Sequence, residues 1–500
     1  MTRAWVRELA GWMLAAAAAL ATAASVASSA RAELLFRDGD SLVVALLARS
    51  ALAGEPFDWA LSSVLFIPEA IVFAGLDAGL PLGAEGLLAV SAVLNVLALY
   101  GAIRLVAGRS REGRAAVAWS VATVIVFGVI AATETSSSRD ALELASLPLT
   151  TTYYAATVVA VVLTIGILRR ALDEPRHLGL LTISLVAVAT VSTLSNPLFA
   201  AWATVPLVLI LLVLALRASA LRRRLLLLGV ALVVGTALGG LARIPFAAWI
   251  ANTGASYAQP EQWRESLIYY GDLAVERLQS PLALIAALIV VALLGFAILT
   301  TIRARDAGER LVALAAWAAP LVVLLGAIAL GTHAARYLQP LVFLPVLVLV
   351  AAPRALTLSV RLRRAAAGVA GVILLVLGFA GIPRLAAAAT QPDPDLSCVT
   401  EWVDASGRTG AGQFWTVRLP KLHLADPAQL VQVDHRLNGY AWLVNRADFA
   451  SGEVTFLIED AQTVPWDLPD AREPDELIDC GRYSILDLGA DPLPLGPVHS

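Results

Sequence analysis

"LSSVLFIPEAIVFAGLDAGL", residues 61–80, is apolar enough to cross a bilayer, yet it carries Pro68 and Glu69 near its centre. Its reading sets the sidedness of everything after it. A crossing here would move the basic stretch "RSREGR" (109–114) to the other face of the membrane and reverse every later loop. Short cytoplasmic loops carry an excess of Lys and Arg. Irregular backbone survives at membrane depth only where it is buried in protein or faces water. The segment is therefore read as re-entrant or peripheral.

With that reading, eleven spans follow, centred near Ala19, Val96, Val124, Val161, Ala187, Ile210, Val234, Val290, Pro320, Pro345 and Leu374. A run of about 20 apolar residues spans the hydrocarbon core as a helix. The 500 residues are 59% hydrophobic and only 15% charged, against about 25% charged in an ordinary soluble domain. A polytopic, α-helical membrane protein is the expectation. With the N-terminus in the cytoplasm, 20 arginines fall in the inner clusters and 9 on the opposite side. An odd number of spans then places the C-terminus outside. Arg3 and Arg7 precede an apolar run from Leu9 to Ala30, and "ARA" before Glu33 looks like a signal-peptidase site. The run is longer than a usual signal-peptide core, so an uncleaved first helix is expected.

Composition changes near residue 385. Residues 385–500 hold 7 basic and 18 acidic side chains, whereas residues 1–384 hold 29 basic and 21 acidic. Two domains are expected: a transmembrane body over 1–384 with polar outer loops, and an acidic, soluble, extracytoplasmic α/β or α+β domain over 385–500. "TQPDPDLSC" (390–398) is the linker between them, and "QLVQVDH" (429–435) and "GEVTFLIED" (452–460) alternate as strands do. The acidic charge excludes a nucleic-acid partner. Both cysteines, Cys398 and Cys480, lie in this domain. They are either two unrelated buried thiols or one disulfide, and a disulfide requires the oxidising compartment that the arginine count already indicates.

Chemistry-bearing residues gather in the loops read as external. The first contains "LLFRDGDSLV" (34–43), with Asp38 and Asp40 flanking Gly39, followed by "SLVVALLARSALAG" (41–54), which suits a helix lying in the membrane interface. Glycine there lets the backbone turn and aim both carboxylates to one side. "TETSSSRDALELASLPLTTTYY" (133–154) supplies Glu134, Arg139, Asp140 and Glu143. The 243–280 loop supplies Arg243, Arg264 and several Trp and Tyr; "GTHAARYLQP" (331–340) supplies His333 and Arg336; "LSNPLF" (194–199) supplies Asn196. Hydration of loops and interfacial aromatics accounts for any one of these alone. Together they suggest a site.

These stretches resemble the GT-C glycosyltransferase superfamily: the acidic motif "FRDGDS" after the first span, the helical first outer loop followed by "FIPEAIVF", the many-span body with "LSNPLF" and "RYLQP", and an acidic outer domain with "GAGQFWTVRL" (410–419) and "GYAWLVNRADF" (439–449). The likeness covers nearly the whole chain in architecture, through short motifs. It implies transfer of a sugar from a polyprenyl-phosphate carrier to a cell-envelope glycan or protein acceptor on the outer face. Asp38 or Asp40 would be the base that takes the acceptor proton. Arg336 and His333 would face the lipid phosphate, whose growing negative charge calls for cationic donors, with Arg139, Arg243, Arg264 and Glu69 as further contacts. A divalent cation at Asp38/Asp40 is compatible with two carboxylates but not required by them.

Two other classes remain. A transporter or flippase needs ionisable groups buried mid-span, and the spans here are nearly free of charge. A non-catalytic envelope scaffold would bind a partner through "GQFWTVRLPKLHL" (412–424), unless those residues form a strand with a core face. Lys421 is the sole lysine among many Ala, Leu, Val and Arg. That usage suggests a GC-rich bacterial genome, hence the plasma membrane.

Overall fold

The structure, a computed structural model, describes residues 2–109, 114–354, 359–468 and 473–500. Arg111 of the basic stretch 109–114 lies outside them. The chain forms two compact units: Met1–Ala32, Ala89–Ile244 and Ser256–Ala388 make the first, and Glu33–Leu88, Pro245–Ala255 and Ala389–Ser500 make the second. The C-terminal segment therefore does not stand by itself, because Glu33–Leu88 and a short piece after Ile244 belong to its unit.

The first unit is helical. Among the described residues of the whole chain, nine helices are long and apolar enough to cross a membrane: Ala4–Ala27, Ala84–Val106, Ala155–Asp173, Leu178–Ser195, Ala200–Arg217, Ser219–Ala242, Pro281–Arg303, Ala307–Ala329 and Ala365–Ala389. The remaining two expected spans are shorter. Ala116–Ala131 has 16 residues, about 24 Å at 1.5 Å per residue. Ala335–Ala351 is a succession of short turns, broken at Pro340 and Pro345, where no N–H is available to continue the ladder. Helices pack where side chains are small. The glycines of "GTALG" (235–239) approach Val186, Ala189 and Thr190 so closely that a Cβ on either would meet backbone oxygen at 2.7 and 2.5 Å. Outward faces are apolar: Leu288, Ile302 and Phe379 are 69%, 73% and 69% exposed. Faces of that size and polarity belong in lipid, and the chain is membrane-embedded.

The second unit carries a seven-stranded mixed sheet. Its order is Gly496–His499, Asn438–Tyr440, Leu430–Val433, Gly410–Gln413, Phe456–Glu459, Tyr483–Asp487, Glu476–Cys480. The three central strands run parallel. One face packs Val399, Val403, Leu430, Phe456, Ile458 and Ile485; another cluster holds Ala411, Val431, Val433, Val454 and Leu457. Both faces of the parallel strands are thus covered, as such sheets require. Helix Pro394–Ser406 lies against the first cluster. Asp393 caps it through Leu396 N at 3.1 Å, Pro394 sits in its first turn, and Gly407 ends it at φ +60°. Cys398 on that helix is bonded to Cys480 on an edge strand, with Cα atoms 5.6 Å apart.

One local expectation changes. Residues 412–424 are neither one strand nor a surface: Gly412 and Gln413 end a strand, Phe414–His423 is a helix, and Phe414, Thr416, Val417, Arg418, Leu419, Pro420, Lys421 and Leu422 are all buried. Its aromatic and β-branched residues imitate strand composition, but the segment follows strand Gly410–Gln413 and returns to the parallel strand Leu430–Val433, so it must be the crossover. Within residues 61–80 the helix is Ile67–Gly79, 13 residues long. At about 20 Å it cannot cross a hydrocarbon core of about 30 Å.

Candidate functional site

In the second unit, a short helix (Ala32–Phe36) ends in the loop that bears the aspartates, and helix Val43–Ala53 follows. The loop is tied locally. Asp38 N donates to Glu33 O at 2.8 Å, Asp40 N to Asp38 Oδ1 at 3.2 Å, and Ser41 Oγ to Leu34 O at 2.5 Å. Asp38 is buried, at 8% exposure, and Asp40 is half-buried. Gly39 does not adopt a positive φ, so the turn does not need glycine's freedom. What needs glycine is close approach. A Cβ at Gly39 would stand 3.1 Å from Trp415 Cε3, 3.3 Å from Phe414 Cε1 and 3.4 Å from Arg418 Cγ.

The Phe414–His423 helix thus presses on the aspartate loop, and Arg418 is its central contact. This side chain is 1% exposed. Nε donates to Gly39 O at 3.2 Å; Nη1 donates to Leu443 O and to Gln432 Oε1; buried Nη2 has no hydrogen-bond partner. Burial pulls its pKa down to about 10, against the attraction of Asp40, Asp448 and Asp38. Asp448 is paired with Lys421 at 2.8 Å, and burial raises its carboxyl pKa. Two further ion pairs flank the loop, Arg37–Asp393 at 3.5 Å and Arg482–Glu33 at 3.6 Å.

The helix that follows the loop lines an apolar groove of about 250 Å³. Leu47, Ala48 and Ala51 form one wall on helix Val43–Ala53, which starts three residues after Asp40. Ile67, Ala70, Ile71 and Ala74 form the other on helix Ile67–Gly79, with Phe246 and Trp249 closing an end. Glu69 stands in the first turn of that second helix, half-buried, after Phe66 in the left-handed region at φ +51°. A positive φ on a bulky aromatic residue is strained and persists only where its surroundings hold it.

The first unit carries the remaining candidates. Arg336 is half-buried and donates from Nε to Tyr154 Oη at 3.2 Å; Tyr154 itself holds φ +70°. His333 is exposed and stacks edgewise on Tyr269 at 5.4 Å. Burial, with the nearby Asp140, raises the Tyr269 hydroxyl pKa. Tyr270 bonds Thr332 Oγ1 at 2.7 Å. The other arginines differ. Arg243 donates to Leu194 O at 2.7 Å, at the end of helix Leu178–Ser195. Arg264 is exposed over the Trp263 ring, and Arg139 is half-buried. Asn196 is structural: Oδ1 accepts from Leu198 N and Nδ2 donates to Thr157, both at 3.0 Å.

One buried network in this unit was not expected. Arg31, 1% exposed, donates to Ser146 Oγ and Glu143 O at 2.9 Å and to the carbonyls of Ser136 and Ser138. Glu134 accepts Ala145 N and Ser146 N, each at 2.7 Å. Glu143 accepts Ser136 N at 2.8 Å and pairs with Arg277. Burial raises the Glu134 carboxyl pKa and lowers that of Arg31. The signal in the sequence was their isolation: Arg31 and Arg277 lie outside the arginine clusters, and the 133–154 stretch carries two glutamates.

Among the described residues, no group of three or more His, Cys, Asp or Glu is arranged to hold a metal ion. Asp38 and Asp40 are a pair beside a guanidinium, a setting that already supplies positive charge. Compared with known protein families, with curated proteins and with solved structures, the chain matches none.

Proposed function

We propose that the protein is a membrane glycosyltransferase of the GT-C kind. It takes a sugar from a polyprenyl-phosphate carrier and delivers it to a cell-envelope glycan or protein. In this reading eleven crossings leave the N-terminus in the cytoplasm and the disulfide-bearing domain outside. Asp38, with Asp40, accepts the acceptor hydroxyl's proton as the anomeric carbon is attacked. The bond from the anomeric carbon to the carrier phosphate breaks as the new bond forms, and the lipid phosphate leaves with the electron pair.

The observation that carries this reading is a succession of elements within the second unit. A loop with two aspartates, one of them buried, runs straight into a helix whose face lines a wholly apolar groove. At about 250 Å³, the groove is below the roughly 300–1,000 Å³ of drug-sized ligand pockets. It suits a length of hydrocarbon rather than a headgroup. Carboxylate and greasy slot together are what a lipid-linked donor needs. A transporter would need ionisable groups inside the spans instead.

The test supplies radiolabelled polyprenyl-phosphate pentoses and hexoses to membranes containing the full chain. Label passing from at least one donor to envelope material, dependent on the chain, is the expected result. If no donor is consumed while a labelled solute accumulates in sealed vesicles, the reading gives way to transport. If neither occurs, it gives way to the scaffold.

A further inference from the structure

The helix that presses on Gly39 belongs to the C-terminal segment, some 375 residues along the chain from the glycine it touches. A docked outer domain would meet a loop through exposed side chains. Here the contact is made by Arg418, at 1% exposure, through a backbone carbonyl, and by two aromatic rings closing on a glycine. Arg418 is in turn held by Leu443 O and Gln432 Oε1. Gln432 is 1% exposed and donates to the carbonyls of Tyr440 and Trp442 at 2.9 and 2.8 Å. The chain of contacts runs from the sheet through one guanidinium to the peptide between Asp38 and Asp40.

Burying a guanidinium without a full set of acceptors is costly, and Nη2 has none. Surrounding charge offsets part of that cost: Asp40, Asp448 and Asp38 all attract the guanidinium. A packing role alone would be served by an apolar side chain, which often replaces buried ions without loss.

We infer that Arg418 is the positioning residue of the aspartate loop: it fixes the peptide at Gly39 and supplies the positive charge against which Asp38 and Asp40 stand. The outer domain is then part of the catalytic apparatus and not an appendage that captures acceptor. This inference rests on the glycosyltransferase reading.

The experiment compares full-length wild type, Arg418→Met, Arg418→Lys and Gly39→Ala, using whichever labelled polyprenyl-phosphate sugar the wild type consumes. Positioning a base is worth about 10²–10⁴ in rate. Arg418→Met is expected to lower kcat about 100-fold with donor KM unchanged within about twofold, and Arg418→Lys, which keeps the charge, to recover at least about tenfold of that loss. Gly39→Ala keeps Arg418 but crowds Trp415, and it answers the question if Arg418→Met does not fold. Its kcat should fall about tenfold with the melting temperature nearly unchanged. Hydrogen exchange at amides 38–41 gives a readout free of activity, and should quicken in Arg418→Met. Unchanged kcat in folded Arg418→Met or Gly39→Ala, or a lysine variant as poor as the methionine one, overturns the inference while leaving the transferase reading intact. A wild type inactive with every donor overturns the reading, and unchanged exchange then overturns the clamp as well.

Discussion

Two acid–arginine clusters, one in each unit, have similar composition and different construction. Around Arg31 the carboxylates are saturated. Glu134 spends both oxygens on backbone N–H groups, and Glu143 spends its two on Ser136 N and Arg277. Around Arg418 the guanidinium grips a backbone carbonyl between two aspartates and leaves Nη2 unmatched. The first arrangement holds three segments together and has no capacity left for a substrate. The second ties the peptide at Gly39 to a helix of the C-terminal segment. Satisfied networks rigidify, whereas a buried guanidinium with an unmatched donor marks a place where packing alone does not account for the charge.

The largest effect should come from breaking the saturated cluster. Glu134→Ala leaves the N–H groups of Ala145 and Ser146 without their acceptor and removes a charge that attracts Arg31, and removing one member of a buried ion network costs about 3–5 kcal/mol. Heat denaturation of the detergent-solubilised protein should show that loss, with donor KM unaffected in whatever folds. An effect on KM without loss of stability would erase the contrast between the clusters. Next is Cys398→Ser. The bridge closes a separation of 82 residues in sequence, and its removal should cost about 2–4 kcal/mol, read as a lower melting temperature that reductant reproduces in wild type. Filling the groove with Ala51→Trp should raise donor KM about tenfold, roughly 1.4 kcal/mol, while stability changes little. The smallest effect concerns Asp487, whose paired oxygens lie 2.7 and 2.8 Å from Arg408. The Arg408 hydrogen bonds hold its pKa below the ordinary 3.8. The folded state therefore binds that proton less readily than the unfolded chain does. The pair's stabilisation is present above pH 3.8 and is lost as pH falls through the folded value. Asp487→Asn should remove that acid dependence, a change under about 1 kcal/mol, visible in melts taken between pH 3 and 7.

Much of the architecture was legible. Apolar runs marked the long helices, and alternation located strands Leu430–Val433 and Phe456–Glu459. Other elements were not, for identifiable reasons. Phe414–His423 has a strand's residues, and only its place between two parallel strands makes it a helix. The tie between residues 33–88 and the C-terminal segment has no local signature, because it depends on contacts separated by more than 300 residues, such as Arg49 to Leu422 O at 3.0 Å. At the candidate site the aspartates stood out because charge is rare in so apolar a chain. Gly39 stood out for the wrong reason, since its role is to admit Trp415 and Phe414 and not to turn the chain. Arg418 was invisible as a site residue because nothing in "WTVRLPK" (415–421) says which arginine will be buried.

The central claim is that Asp38 and Asp40 do chemistry. The most direct measurement is sugar transfer from a labelled polyprenyl-phosphate donor by Asp38→Asn and Asp40→Asn in full-length protein, with folding verified by melting and by the intact Cys398–Cys480 bridge. The account predicts a fall in kcat of at least about 100-fold for Asp38→Asn, the expected loss of a general base, and a smaller one for Asp40→Asn. Wild-type rates in both variants would contradict it.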